Sequence, residues 1–143
     1  MKYDKDDLLV LAQTLYGEAR GEFPNHGLAA LIAVANVVVN RLKKGFAKNV
    51  RGVCLAPHQF SCWNHGDPNF DRIQKLNPKS VIFQICLNVA ENVLSEKWPD
   101  LTDGCDHYHA KTVHPYWSAY RNPKRIFGNH LFYNLSNKGA ENE

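Results

Sequence analysis

Apolar and polar positions along the chain mark out three helices separated by less periodic segments. From Asp6 onward, Leu8, Leu11, Ala12, Leu15 and Ala19 fall on one face of a helix advancing about 100° per residue. Asp6 or Asp7 is the expected N-cap, its charge suited to the helix dipole. Gly21 is the expected left-handed stop just beyond Arg20, and Phe23-Pro24-Asn25-His26-Gly27 reads as a turn. The stretch Leu28–Lys44 is apolar almost all the way round, which predicts a central helix enclosed by other elements. Asn36 and Asn40 interrupt it four residues apart, on one face. A third helix is expected from Asn77-Pro78 to near Trp98-Pro99, with Val81, Ile82, Ile85, Leu87, Val89 and Val93 as its apolar stripe.

Between residues 46 and 71 periodicity fades. Asn49–Leu55 reads as a short strand broken by Pro57, and His58–Asp67 as a loop mixing aromatic rings, amides and hydroxyls. Cys105–Ala110 alternates as a strand, with His107 and His109 on one face and Tyr108 on the other. His114–Ser118 forms a second aromatic loop, and Arg125–Tyr133 a final turn and strand. The polar tail from Asn134 to Glu143 is expected to fray. It includes Asn134-Leu135-Ser136, a glycosylation acceptor by pattern only.

Composition narrows the class. At 143 residues the chain suits one domain, 1–143, with a core of about residues 6–134. Hydrophobic residues make up 44% and charged residues 22%, an ordinary globular composition and not a disordered one. The net charge of +3 suits an anionic partner but lacks the dense basic patch of a nucleic-acid binder. No apolar run reaches the roughly 20 residues that span a bilayer, so no membrane insertion is expected. The N-terminus lacks the apolar core of a secretion signal, so the chain is expected to be made without one or to have had it removed. A monomer is expected.

The candidate chemistry centres on Leu15-Tyr16-Gly17-Glu18-Ala19-Arg20-Gly21-Glu22. Glu18 lands at the edge of the apolar face, beside Leu11 and Leu15. A carboxyl group set against apolar side chains is partly desolvated and favours its protonated form, as a general acid for glycosidic cleavage requires. The alternative is a solvated helix end. The 58–67 loop has the makings of a carbohydrate site, in which rings stack on sugar faces while amides and hydroxyls bond sugar hydroxyls; a surface loop with an aromatic anchor is the alternative. Asn36 and Asn40 either point toward a sugar or the acid, or are core amides satisfying backbone groups. Seven histidines prompt a search for a metal site. His107, His109 and His130 show no defensible ligand spacing, so neither metal nor cofactor is expected. Cys62 near His58 or His65 is the only pairing for thiol chemistry. The four cysteines, Cys54, Cys62, Cys86 and Cys105, form no C-x-x-C pair, and buried free thiols are at least as well supported as two disulfides.

Four segments then occur in a telling order. They are Tyr16-Gly17-Glu18-Ala19-Arg20-Gly21-Glu22, Ala35-Asn36-Val37-Val38-Val39-Asn40-Arg41, Gln59-Phe60-Ser61 and Gly128-Asn129-His130-Leu131-Phe132-Tyr133. Together they resemble the bacterial cell-wall hydrolase family typified by the spore cortex-lytic enzyme SleB, over roughly Leu8 to Tyr133. The resemblance implies an α+β, lysozyme-like fold with a mainly helical lobe, a buried central helix and a small β/loop lobe. It implies peptidoglycan glycan strands as partner and Glu18 as the catalytic acid. The bond cleaved would be the β-1,4 link between N-acetylmuramic acid and N-acetylglucosamine, giving a 1,6-anhydro product as lytic transglycosylases do. A hydrolytic muramidase and a non-catalytic wall-binding module are the alternatives. Gln59, Phe60, Ser61, Tyr108, Trp117 and His130 are expected to position the sugar or support the acid, with Asn36 as a further substrate contact. Glu22 is assigned to the helix end or to substrate contact. Asp67, Asp71 and Asp103 stay open as a second carboxylate. A compact enzyme acting on the wall without an export signal is expected to resemble a phage or prophage endolysin.

Overall fold

The computed structural model describes residues 1–136. Helix α1 (Lys5–Ala19) starts two or three residues earlier than the charge pattern suggests. Asp4, not Asp6 or Asp7, is its N-cap: the Asp4 carboxylate accepts from the Asp7 N–H (2.9 Å) and Asp7 accepts from the Asp4 N–H (3.1 Å). This reciprocal cap satisfies two orphan donors at once. The predicted apolar face is real, with Leu11, Ala12, Leu15 and Ala19 buried.

Gly21 does not adopt the expected left-handed conformation. A 3-10 turn, Arg20–Glu22, leads directly into a short helix α2 (Phe23–His26), and the positive φ of 66° falls at Gly27. Helix α3 (Ala29–Lys43) is the enclosed central element, packed against α1, α4 (Val50–Leu55) and α6 (Val81–Leu94). Its apolar circumference leaves no alternative to burial, which stabilises it by roughly 25 cal/mol per Å² of apolar surface removed from water.

Two expectations are corrected between α3 and α6. Asn49–Leu55 is a helix and not a strand: the Asn49 side chain caps it by accepting from the Gly52 N–H at 2.7 Å. Val50, Val53 and Cys54 are buried at the i, i+3, i+4 spacing of one helix face. Pro68–Gln74 forms helix α5, with Asp67 as N-cap and Pro68 in the first turn, where its missing N–H does no harm. Helix α6 begins after Ser80 and ends at Leu94. Its buried face is Phe83, Cys86, Val89, Ala90, Val93 and Leu94, while Val81 stands 78% exposed.

The remainder is a three-stranded antiparallel sheet of order β1-β3-β2: β1 (His107–Ala110), β2 (Arg125–Phe127) and β3 (His130–Tyr133). The segment expected to hold one final strand thus holds a hairpin, turned at Gly128. Tyr108 pairs with Phe132 and His107 with Tyr133, so the two faces of the sheet carry different side chains. One face carries Tyr108, His130 and Phe132, and the other His107, His109 and Tyr133. Residues 134–136 are held by Asp106, which accepts from the Leu135 and Ser136 N–H groups; the rest of the tail expected to fray lies outside the described residues. No helix among the described residues is long and apolar enough to cross a membrane.

Candidate active site

Glu18 lies in the last turn of α1, half-buried, and both of its oxygens are held from other parts of the chain. Oε2 accepts from the Cys62 N–H at 3.0 Å and, at a longer 3.4 Å, from the Ser61 hydroxyl. Oε1 accepts from the Tyr108 hydroxyl. One donor set comes from a 3-10 turn, Ser61–Trp63, and the other from the centre of β1.

The 61–63 turn can reach Glu18 because Gly17 has no side chain. A Cβ there would stand 2.5 Å from the Cys62 Cβ. The Trp63 indole N–H donates to Thr14 Oγ1 (2.9 Å), fixing the turn along α1. Arg20 secures the end of the same helix, donating to the Tyr16 carbonyl (2.8 Å) and to Asn69 Oδ1 on α5 (3.0 Å).

Tyr108 is fully enclosed. Burial, reinforced by the adjacent Glu18, pushes its hydroxyl well above the ordinary tyrosine range, so it stays a phenol and a donor at neutral pH. Cys62 contributes its backbone and not its thiol: burial and the nearby Glu18 raise that thiol far above its usual range, which removes the thiolate that nucleophilic chemistry would need. All four cysteines are buried and free.

Glu22 forms a second cluster beside the first. It is 7% exposed and accepts from the Asn129 N–H, the Asn129 amide (3.2 Å) and His130 Nδ1 (3.3 Å). Burial works against its charge, but these donors outweigh it and hold the carboxyl below its usual range. His130 is pulled down by burial, with Glu22 opposing, and its ring meets Tyr108 edge-on at 5.4 Å. Glu22 therefore joins the 3-10 turn to the β2–β3 hairpin and supports the wall on which Tyr108 stands.

The other expected residues are engaged elsewhere. Asn36 accepts from the Leu101 N–H (3.0 Å), and Asn40 donates to the Cys105 carbonyl (2.9 Å) and to Asp100 (3.0 Å). Both amides clamp the 100–105 turn, which is the core-amide alternative. Gln59 accepts from Arg41 (2.9 Å). Phe60 is 1% exposed and packs on Tyr108. Trp117 does not present its ring to solvent: it is 6% exposed and packs on His107, His109 and Tyr133, the sheet face opposite Tyr108. Sequence reasoning missed Cys62 as a backbone donor, although Gly17 at the preceding-residue position to Glu18 signals a close approach. Nothing in the Ala35–Arg41 segment marks Arg41 as the partner of Gln59. Among the described residues no cluster of three or more His, Cys, Asp or Glu has metal-binding geometry.

A carboxyl group at a helix end, gripped by donors from a loop and a sheet, on an α+β scaffold with an enclosed central helix, defines a lysozyme-like class of fold. A family model described as Cell Wall Hydrolase matches residues 25–133, and the chain belongs to that family. Over 60 residues it is 45% identical to a spore cortex-lytic enzyme of Halalkalibacterium halodurans, covering 41% of this chain and 17% of that protein. Spore cortex-lytic enzymes of Oceanobacillus iheyensis and Bacillus subtilis are each 42% identical over 60 residues, or 20% and 18% of their lengths. The matched segment thus spans a fifth or less of these relatives. No solved structure matches the chain.

Proposed function

We propose that residues 6–134 act as one catalytic unit that cleaves the β-1,4 bond between N-acetylmuramic acid and N-acetylglucosamine in peptidoglycan, with Glu18 as acid and then base. The observation that carries this reading is the fixed Glu18 carboxyl, held on one oxygen by the 61–62 turn and on the other by Tyr108. A group that must give up and recover a proton at one place benefits from such preorganisation.

Protonated Glu18 donates to the glycosidic oxygen as the bond to the muramoyl anomeric carbon breaks and oxocarbenium character develops. The Glu18 carboxylate then takes the proton of the muramoyl 6-hydroxyl while that oxygen bonds the anomeric carbon. The 1,6-anhydro product forms, no water is consumed and Glu18 is again protonated. This route needs no second carboxylate. In support, Glu22 is tied to Asn129 and His130, Asp67 caps α5, and Asp103 pairs with Lys124 and Arg125.

The test is a digest of purified peptidoglycan by the wild-type protein and Glu18→Gln, with products identified by mass spectrometry. Anhydro-muropeptides from the wild type alone are expected. Reducing muramic acid ends would replace the transglycosylase route by hydrolysis. No products from wild type, with retained wall binding, would overturn the enzyme reading.

A further inference from the structure

Arg41 takes no part in the reaction above, yet it touches both segments that hold Glu18. It lies near the C-terminal end of α3 with its side chain fully buried. Its Nε donates to the Asp106 carbonyl at 2.7 Å, and its Nη1 donates to Gln59 Oε1 at 2.9 Å. Two residues beyond Asp106 stands Tyr108, and just beyond Gln59 stand Ser61 and Cys62. These are the three donors to Glu18. The guanidinium carbon also lies over the rings of Phe46 and Phe60, 5.4 Å from each centroid, and the Phe60 ring packs in turn on Tyr108 at 6.3 Å.

We propose that Arg41 is a positioning residue: one buried guanidinium sets the 59–62 loop and the start of β1 at a fixed spacing, so that the Cys62 N–H and the Tyr108 O–H meet the Glu18 carboxyl together. The proposal deepens the reading of Glu18 as the acid and rests on it.

Physical chemistry favours a role beyond stability. A fully buried cation carries a large desolvation cost, which offsets what its hydrogen bonds contribute to stability. Here no carboxylate faces it in a hydrogen bond. The Asp106 side chain is engaged by Lys44, His107, Leu135 and Ser136, and Arg41 meets only the Asp106 backbone oxygen. Arg41 Nη2 has no hydrogen-bond partner among the described residues. Burial lowers its pKa to about 10, with Tyr108, Asp106 and Cys54 opposing, and at neutral pH it remains charged. What an apolar residue cannot supply is a rigid planar fork that grips two acceptors on separate segments. A lysine, with one compact ammonium on a flexible stem, cannot hold both in the same relation.

Turnover of soluble glycan strands, wall binding by co-sedimentation and thermal unfolding would be compared for the wild type, Arg41→Met, Arg41→Lys, Gln59→Leu, Gln59→Glu and Glu18→Gln. Each is assayed at a temperature where it is folded. A misplacement of about 1 Å at a reacting group can cost on the order of 10²-fold in rate. Arg41→Met should therefore lose about that factor in kcat with KM and wall binding nearly unchanged, and Arg41→Lys should fall between it and wild type. Gln59→Leu should lower kcat about tenfold, being one arm of the two. Gln59→Glu, which keeps an acceptor for Nη1, should restore it, and Gln59→Leu should add nothing in the Arg41→Met background. If Arg41→Met does not fold, Arg41→Lys and the two Gln59 variants decide the matter. Wild-type kcat in Gln59→Leu or Arg41→Lys, or losses that merely follow the unfolded fraction, would overturn the proposal. An active Glu18→Gln would overturn the Glu18 reading itself, whereas an inactive Glu18→Gln beside fully active Arg41 and Gln59 variants would remove only the brace.

Discussion

Gly17 lies directly against Cys62: a Cβ on Gly17 would come within 2.5 Å of the Cys62 Cβ and 2.8 Å of its Sγ. The next residue is Glu18, and the Cys62 N–H is one of its donors. Gly17→Ala should therefore push the 61–63 turn off α1, costing about 1–3 kcal/mol by overpacking and removing the loop donors from Glu18. Thermal unfolding and peptidoglycan digestion test this together. A variant with wild-type stability and activity would show that the turn can retreat without consequence.

Tyr108→Phe deletes the donor on Glu18 Oε1 and leaves the ring packing on Phe60 and Phe132 in place. A preorganised donor aimed at the reacting carboxyl contributes to the rate, so turnover should fall on the order of a hundredfold. The melting temperature should fall by only a few degrees, the size expected for one hydrogen bond. Steady-state kinetics and calorimetry on the same preparation separate the two effects.

The hairpin turn at Gly128 has φ of +58°, and a Cβ there would stand 2.6 Å from Glu22 Oε1. Gly128→Ala combines a strained backbone with a clash against a buried carboxylate, a destabilisation of about 1–3 kcal/mol. Activity should fall too, because the Glu22–His130 contact supports the wall beside Tyr108. Urea unfolding would measure the first loss and muropeptide release the second.

Asp106 is fully buried, and although burial opposes its charge, His107, the Leu135 and Ser136 N–H groups and Lys44 hold its carboxyl far below its ordinary 3.8. A carboxyl depressed on folding contributes stability that is present above its unfolded pKa and lost as pH falls toward the folded value. The wild-type melting temperature should therefore drop as pH falls below about 4. Asp106→Asn should lose that contribution to the acid limb and be less stable at pH 7 by about 1–3 kcal/mol, the cost of leaving buried hydrogen-bonding groups without their partner. Melting curves from pH 2 to 8 decide it; an unaltered acid limb in the variant would assign the transition to other carboxylates.

Much of the architecture was legible because burial imposes a local period. The apolar circumference of α3 and the stripe of α1 could be read directly, as could the opposition of Tyr108 to His107 and His109 across a strand. Helix α4 reads as a strand because its valines favour strands locally, although the spacing of Val50, Val53 and Cys54 is helical. Helix α5 was hidden because among its residues only Ile73 is buried. Residue type leaves Trp117, Gln59 and Asn36 undecided between site and core, because aromatic and amide side chains serve both equally well.

Periodicity along the chain lays out a helical body around one enclosed helix, with a glutamate at the end of its first helix. Which groups meet that glutamate is set by tertiary packing. The Cys62 donor lies 44 residues away in the chain and the Tyr108 donor 90. Hydrophobic periodicity records which side of an element faces inward. It holds no information about which two inward-facing groups, far apart in the chain, the packing of those elements will bring into contact.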